Sequence, residues 1–245
     1  MMKIIPLSEG AFTVDATKVF TPFDESNDQL RDRPTGSILV EVQPFVVITD
    51  SDILLLDTGL GFSNDQGVLQ IHQHLTDNGI NPSEITKVLM SHLHKDHSGG
   101  LASVSDSKKL AFPTAKYYVQ KEELAMALSG KSGSYIIEDL EALKDAPQVV
   151  LLDGNGVLDD YIQYELTSAH SRYHQVFWIR EEGKTIFFGG DDAPQLSQMK
   201  NRYVAKYDFD GKKCMELRGQ WWEQGAREHW TFLFYHDIKA AVVEG

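Results

Sequence analysis

Residues 91–100 read Ser91-His92-Leu93-His94-Lys95-Asp96-His97-Ser98-Gly99-Gly100, and this stretch decides how the rest of the chain is understood. Three imidazoles and a carboxylate, on His92, His94, His97 and Asp96, crowd into six residues. Neutral imidazole and carboxylate are the ligand types that suit zinc, iron, manganese or nickel. The apolar run before them, Ile85-Thr86-Lys87-Val88-Leu89-Met90, has the character of a buried strand, so the cluster falls where a strand ends. Alternation across Leu93 puts His92 and His94 on one side of an extended backbone. Asp96 and His97 follow in a turn that the Gly99-Gly100 pair allows to be sharp.

Composition narrows the function classes. A chain of 245 residues with 42% hydrophobic and 24% charged residues is ordinary for a globular enzyme. The formal charge of −13 argues against nucleic acid as a partner, because phosphate backbones are held by Lys and Arg. No apolar run reaches membrane-spanning length, and Met1-Met2-Lys3-Ile4-Ile5-Pro6 does not read as a signal peptide, so a cytoplasmic protein is expected. The single cysteine, Cys214, excludes an intrachain disulfide and falls in a helical stretch, 212–224, as a packing residue.

The periodicities predict strands at 37–42, 45–49, 52–56, 85–90 and 116–119, with helices at 66–78, 121–128 and 134–143. Further strands follow at 149–152, 161–166, 175–179, 185–188 and 230–235, with a hairpin turn at Glu181-Glu182-Gly183-Lys184. Nothing resembling a linker divides them, which favours one domain over 1–245 with two sheets face to face and helices outside. The polar stretch 21–34 is long enough to be either a solvated loop or a flap over a site. Polar residues recur at the ends of apolar strands: Asp57, His170, Asp191 with Asp192, and His236. Several such sites together point to a metal centre built from strand tips.

The run His92-Leu93-His94-Lys95-Asp96-His97 resembles the HxHxDH signature of the metallo-β-lactamase superfamily, and His170, Asp191 and His236 follow in that family's order. Asp57 in Leu55-Leu56-Asp57-Thr58-Gly59 is similar to its early DTG turn. The resemblance covers about residues 37–237 and implies an αββα sandwich of two mixed β-sheets flanked by helices. It implies two divalent metal ions, zinc first and iron or manganese as alternatives. His92, His94 and His170 would hold one ion, Asp96, His97 and His236 the other, with Asp191 bridging. Asp191 is preferred to Asp192 because it directly follows Gly190, as in the family's GD motif. Asp57 and His174 are expected behind the ligands, orienting them. His72, His74 and His229 are assigned to surface or packing roles. The implied chemistry is hydrolysis by a metal-bridging hydroxide, with Asp191 central and Asp96 passing a proton to the leaving group.

Within the superfamily the chain looks most like the lactonase-like branch, which opens acyl-homoserine lactones, so the expected partner is a small ester or lactone. Relatives in that branch often carry a tyrosine where Pro194 stands; either another tyrosine, Tyr203 or Tyr207, takes that role, or the substrate differs. Aromatic residues Phe20, Phe23, Phe45, Trp221 and Trp222 are candidates for an apolar pocket. A phosphodiesterase, a glyoxalase II-like thioesterase and a mononuclear-iron persulfide dioxygenase share the first motif and stand as alternatives. The oligomeric state is not legible.

Overall fold

The computed structural model describes residues 2–245. Two six-stranded sheets are each built from a continuous half of the chain. In the first, β1 (Lys3–Pro6), β2 (Phe45–Ile48), β3 (Ile53–Leu56), β4 (Lys87–Leu89), β5 (Lys116–Gln120) and β6 (Val149–Leu152) lie side by side in chain order. The pairs from β1 to β3 are antiparallel and those from β3 to β6 parallel. The second sheet runs β7 (Gly156–Leu158), β8 (Ile162–Leu166), β9 (Gln175–Glu181), β10 (Lys184–Phe188), β11 (Thr231–Leu233) and β12 (Val242–Glu244). All its pairs are antiparallel except β10 with β11.

Alternation along these strands sorts side chains into three buried layers. Phe45, Val47, Leu54 and Leu56 of the first sheet meet Phe177, Ile179, Ile186 and Phe188 of the second, forming the core between the sheets. Their neighbours Val46, Leu55, Val88 and Tyr117 face outward under α1 (Gln70–Asp77), α3 (Lys121–Leu128) and α4 (Ile137–Leu140). On the other side, Trp178, Phe187 and Phe232 pack against α5 (Leu196–Lys200) and α6 (Gly211–Glu228) through Met199 and Trp221. The result is the αββα sandwich of two mixed sheets expected from the sequence.

Several local expectations need correction. The helix expected over 66–78 begins only at Gln70, because Asn64 folds a turn with Gly67 and its side chain accepts from the amides of Gln66 and Val68. The stretch 134–143 is helical only from Ile137, as one α turn followed by the 3-10 turn Glu141–Leu143. Of the five aromatic residues proposed for a pocket, only Phe20 lines the cavity over the site; Phe45 lies between the sheets, Trp221 and Trp222 are carried on α6 and pack toward the second sheet, and Phe23 is buried elsewhere. An additional small sheet, of Ala11–Val14 between Thr21–Pro22 and Ile38–Glu41, covers one end of the sandwich. Among the described residues no helix is long and apolar enough to cross a membrane.

Candidate metal centre

Five strands deliver the site, each from its C-terminal end. Asp57 follows β3, and His92 follows β4 after Met90-Ser91. His170 lies four residues beyond β8, Asp191 three beyond β10 and His236 three beyond β11. His94 sits at the N-cap of the single turn α2 (Lys95–Ser98), which carries Asp96 and His97. Buried apolar strands fix the backbone, and Asp57, His92, His170, Asp191 and His236 each follow within four residues of a strand end.

The side chains gather in two adjoining groups. Ligand atoms of His92, His94, His170 and Asp191 lie within 4.8 Å of one another, as do those of Asp96, His97 and His236. Asp191 faces both: its Oδ2 is 3.2 Å from His170 Nε2 and 3.9 Å from His92 Nε2. Its Oδ1 is 3.0 Å from His236 Nε2 and 3.1 Å from His97 Nε2. Asp96 Oδ2 stands 3.5 Å from His236 Nε2 and 3.7 Å from His97 Nε2. All seven sequence-selected ligand candidates are therefore brought together. Asp192 turns away, accepting from the His170 amide at 2.6 Å and meeting His174 Nδ1 at 3.0 Å.

The inner atoms fit a metal and fit little else. His92 Nε2, His97 Nε2 and Asp191 Oδ1 are buried and have no hydrogen-bond partner among the described residues. Leaving such atoms unpaired is unfavourable unless something binds them. His94 Nδ1 and His170 Nε2 face each other at 3.2 Å. Four imidazoles are held from behind through the other ring nitrogen. His97 Nδ1 meets Asp57 Oδ2 at 2.8 Å, His170 Nδ1 meets Asp208 Oδ1 at 2.9 Å, His236 Nδ1 donates to the Glu41 carbonyl at 2.6 Å, and His92 Nδ1 is 3.1 Å from Ser91 Oγ. That arrangement fixes the tautomers so that lone pairs on Nε2 point inward.

Electrostatics reinforce this geometry. Burial, aided by the His97 and His94 imidazoles, holds His92 well below the ordinary histidine range; burial and His170 do the same to His94. Burial also opposes protonation of His97, His170 and His236, but the surrounding carboxylates, Asp191 foremost, together outweigh it and all three are raised. Against burial, the imidazoles of His236, His97 and His170 hold Asp191 well below the carboxylate range. The site thus gathers protons around a fixed negative charge, which a divalent cation would displace.

The supporting residues are partly those expected. Asp57, in the left-handed region at φ 57°, accepts from the Ser91 amide at 2.7 Å and Ser91 Oγ at 2.6 Å besides meeting His97. His174 is not in the inner ring: its Nε2 accepts from the Asp191 amide at 3.1 Å. Asp208 and Arg218 escape sequence reasoning, yet both side chains are almost wholly buried. Arg218 reaches Asp208 Oδ2 at 3.4 Å and donates to the Asp192 carbonyl at 2.6 Å, bracing the partner of His170 and the segment after Asp191. The available signal is helical spacing, since Cys214, Arg218, Trp221 and Gly225 form the buried face of α6.

The Gly99-Gly100 pair has a different cause from the one expected. Gly99 has φ −61°, open to any residue. A Cβ there would lie 2.3 Å from the Leu60 carbonyl group, and one on Gly100 2.3 Å from the Thr58 carbonyl oxygen. The pair permits two backbones to touch beneath the site, so Gly99→Ala is expected to destabilise the fold by about 1–3 kcal/mol in a denaturant titration. An unchanged midpoint would show that the contact relaxes freely.

An αββα sandwich with histidine–carboxylate clusters along one strand-end rim is the architecture of the metallo-hydrolases. The chain belongs to the metallo-beta-lactamase superfamily, whose sequence pattern matches residues 39–215. It is similar to the N-acyl homoserine lactonase AttM of Agrobacterium fabrum (strain C58), with 30% identity over 113 residues, 42% of this chain and 38% of that protein. AttM of Rhizobium johnstonii is 31% identical over 113 residues, with the same coverage. The matched part thus spans well under half the length of these relatives. Among solved structures, a probable metal-dependent hydrolase from Staphylococcus aureus superposes with a TM-score of 0.80 at 20% identity, covering 99% of this chain and 92% of that one. AidC, a dizinc quorum-quenching lactonase solved with a product, superposes at 0.73 and 21% identity over 98% and 89% of the two chains. At such identities the likeness is one of fold.

Proposed function

We propose that this protein is a single-domain, dinuclear metal-dependent hydrolase acting on a small ester or lactone. The observation that carries the reading is the Asp191 carboxylate, one oxygen turned to each histidine cluster. His92, His94 and His170 would hold one ion and Asp96, His97 and His236 the other, with Asp191 shared. Zinc suits this set of nitrogen and oxygen donors, and AidC is described as dizinc. Two bound ions would supply a hydroxide nucleophile near neutral pH and polarise the substrate oxygen.

The chain's own residues do the rest. A cavity of about 630 Å³ opens over the clusters and is lined by His94, Asp96, His170, Asp191 and His236 from below. Of these, Asp96 would pass a proton to the departing oxygen. Tyr235 donates to the Asp96 carbonyl at 2.7 Å and stacks on His97, fixing that turn. Pro194 lines the cavity without a hydroxyl, whereas Tyr207 offers one, its ring 6.1 Å from that of His170. Burial raises the Tyr207 phenol, so it stays protonated and can donate to a substrate oxygen.

The lactone substrate is supported by the likeness to AttM in sequence and to AidC in fold. Metal quantification coupled to turnover of lactones, aryl esters, thioesters and phosphodiesters tests the reading. Two metals per chain and lactone or ester hydrolysis are expected. One iron per chain with oxygen uptake on a persulfide, or phosphodiesters as the sole substrates, would overturn it.

A further inference from the structure

The cavity carries a charge pattern that ester hydrolysis alone does not require. Among the described residues that line it the carboxylates are Asp96 and Asp191, both belonging to the candidate metal clusters. Three cations, Lys18, Arg33 and Lys95, line it as well. On a chain of formal charge −13 this is a local inversion, and among the described residues none of the three side chains pairs with a carboxylate.

Each cation is only partly engaged. Arg33 Nε donates to the Leu30 carbonyl at 3.3 Å, while its Nη1 is buried with no hydrogen-bond partner among the described residues. The exposed Lys18 donates to Ser134 Oγ at 2.5 Å, a neutral partner. Lys95 Nζ sits 5.7 Å from the centre of the Phe20 ring. A buried guanidinium N–H without an acceptor marks where an anion completes the site, and the planar fork suits a carboxylate or phosphate. Phe20 and Arg33 stand at the two ends of the long polar stretch 21–34, which gives that stretch a role.

We propose that the substrate is an ester or lactone bearing a second, unreactive anionic group, gripped by Arg33 with Lys18 and Lys95 while the reacting carbonyl lies over the metal clusters. Arg33 is then the specificity-determining residue. The inference rests on the hydrolase reading above.

The metal-loaded full chain is assayed on 4-nitrophenyl glutarate, whose free carboxylate lies at the far end, and on 4-nitrophenyl pentanoate of equal acyl length. The glutarate ester is expected to be favoured about tenfold or more in kcat/KM, with the preference shrinking as salt rises. Arg33→Ala is expected to collapse that ratio mainly through KM, and Arg33→Lys to restore part of it. Calorimetric titration with glutarate and with inorganic phosphate reads the same contact without turnover and tells which anion the cavity takes. A ratio near one, a ratio unchanged in Arg33→Ala, or no binding of either anion would overturn the inference. Turnover of the neutral ester without charge preference leaves the hydrolase reading standing; turnover of no ester or lactone refutes that reading instead.

Discussion

Asp191→Asn is expected to lower turnover at least about a thousandfold and to leave fewer than two metals per chain. The carboxylate faces both clusters, and an amide presents one oxygen and one NH2 where two anionic oxygens stand now. Its loss also removes the negative charge that His97, His170 and His236 surround. His92→Ala should act in the same direction but mainly on one ion, because its inner nitrogen approaches only Asp191 Oδ2. Elemental analysis of each purified variant beside its kcat is the measurement. Two metals retained in both variants would refute the ligand assignment.

Arg218→Met is expected to cost about 3–5 kcal/mol of stability, as breaking a buried ion pair from one side does. Arg218 is 1% exposed, and its removal strands Asp208 in the interior. Because Asp208 holds His170 by Nδ1, metal affinity should also fall by about 10–100-fold. Denaturant unfolding and metal competition titration separate the two effects. A variant that loses stability but keeps its affinity would show that Arg218 supports α6 and not the metal centre.

The sequence makes much of the inner ring of the site legible because four of its seven members obey one geometric rule: an apolar strand, then a ligand just past its tip. His92, His170, Asp191 and His236 all satisfy it, so the positions can be chosen without knowing how the strands pair. Pairing cannot be read this way, and neither can Ala11–Val14 and Thr21–Pro22 of the small sheet, which are too short to show a period, whereas its third strand, Ile38–Glu41, falls inside the expected 37–42. Asp208 and Arg218 are hidden for another reason. Charged residues beside an amphipathic helix resemble a solvated face, and only their placement opposite each other beneath His170 shows otherwise. His174 is expected behind the ligands, and its nitrogens there serve the Asp191 amide and Asp192.

Each sheet is contiguous in sequence, and that arrangement has a consequence for how metal and fold depend on each other. The half of the chain that makes the first sheet contributes His92, His94, Asp96 and His97; the half that makes the second contributes His170, Asp191 and His236. Both clusters therefore draw from both halves, and neither half alone owns a complete set of donors. A bound ion would act as a rivet between two leaves of a book, closed at the rim where the leaves would first part. Binding energy at the rim is then energy of closure, so chelation should loosen the join between the sheets before it disturbs either sheet.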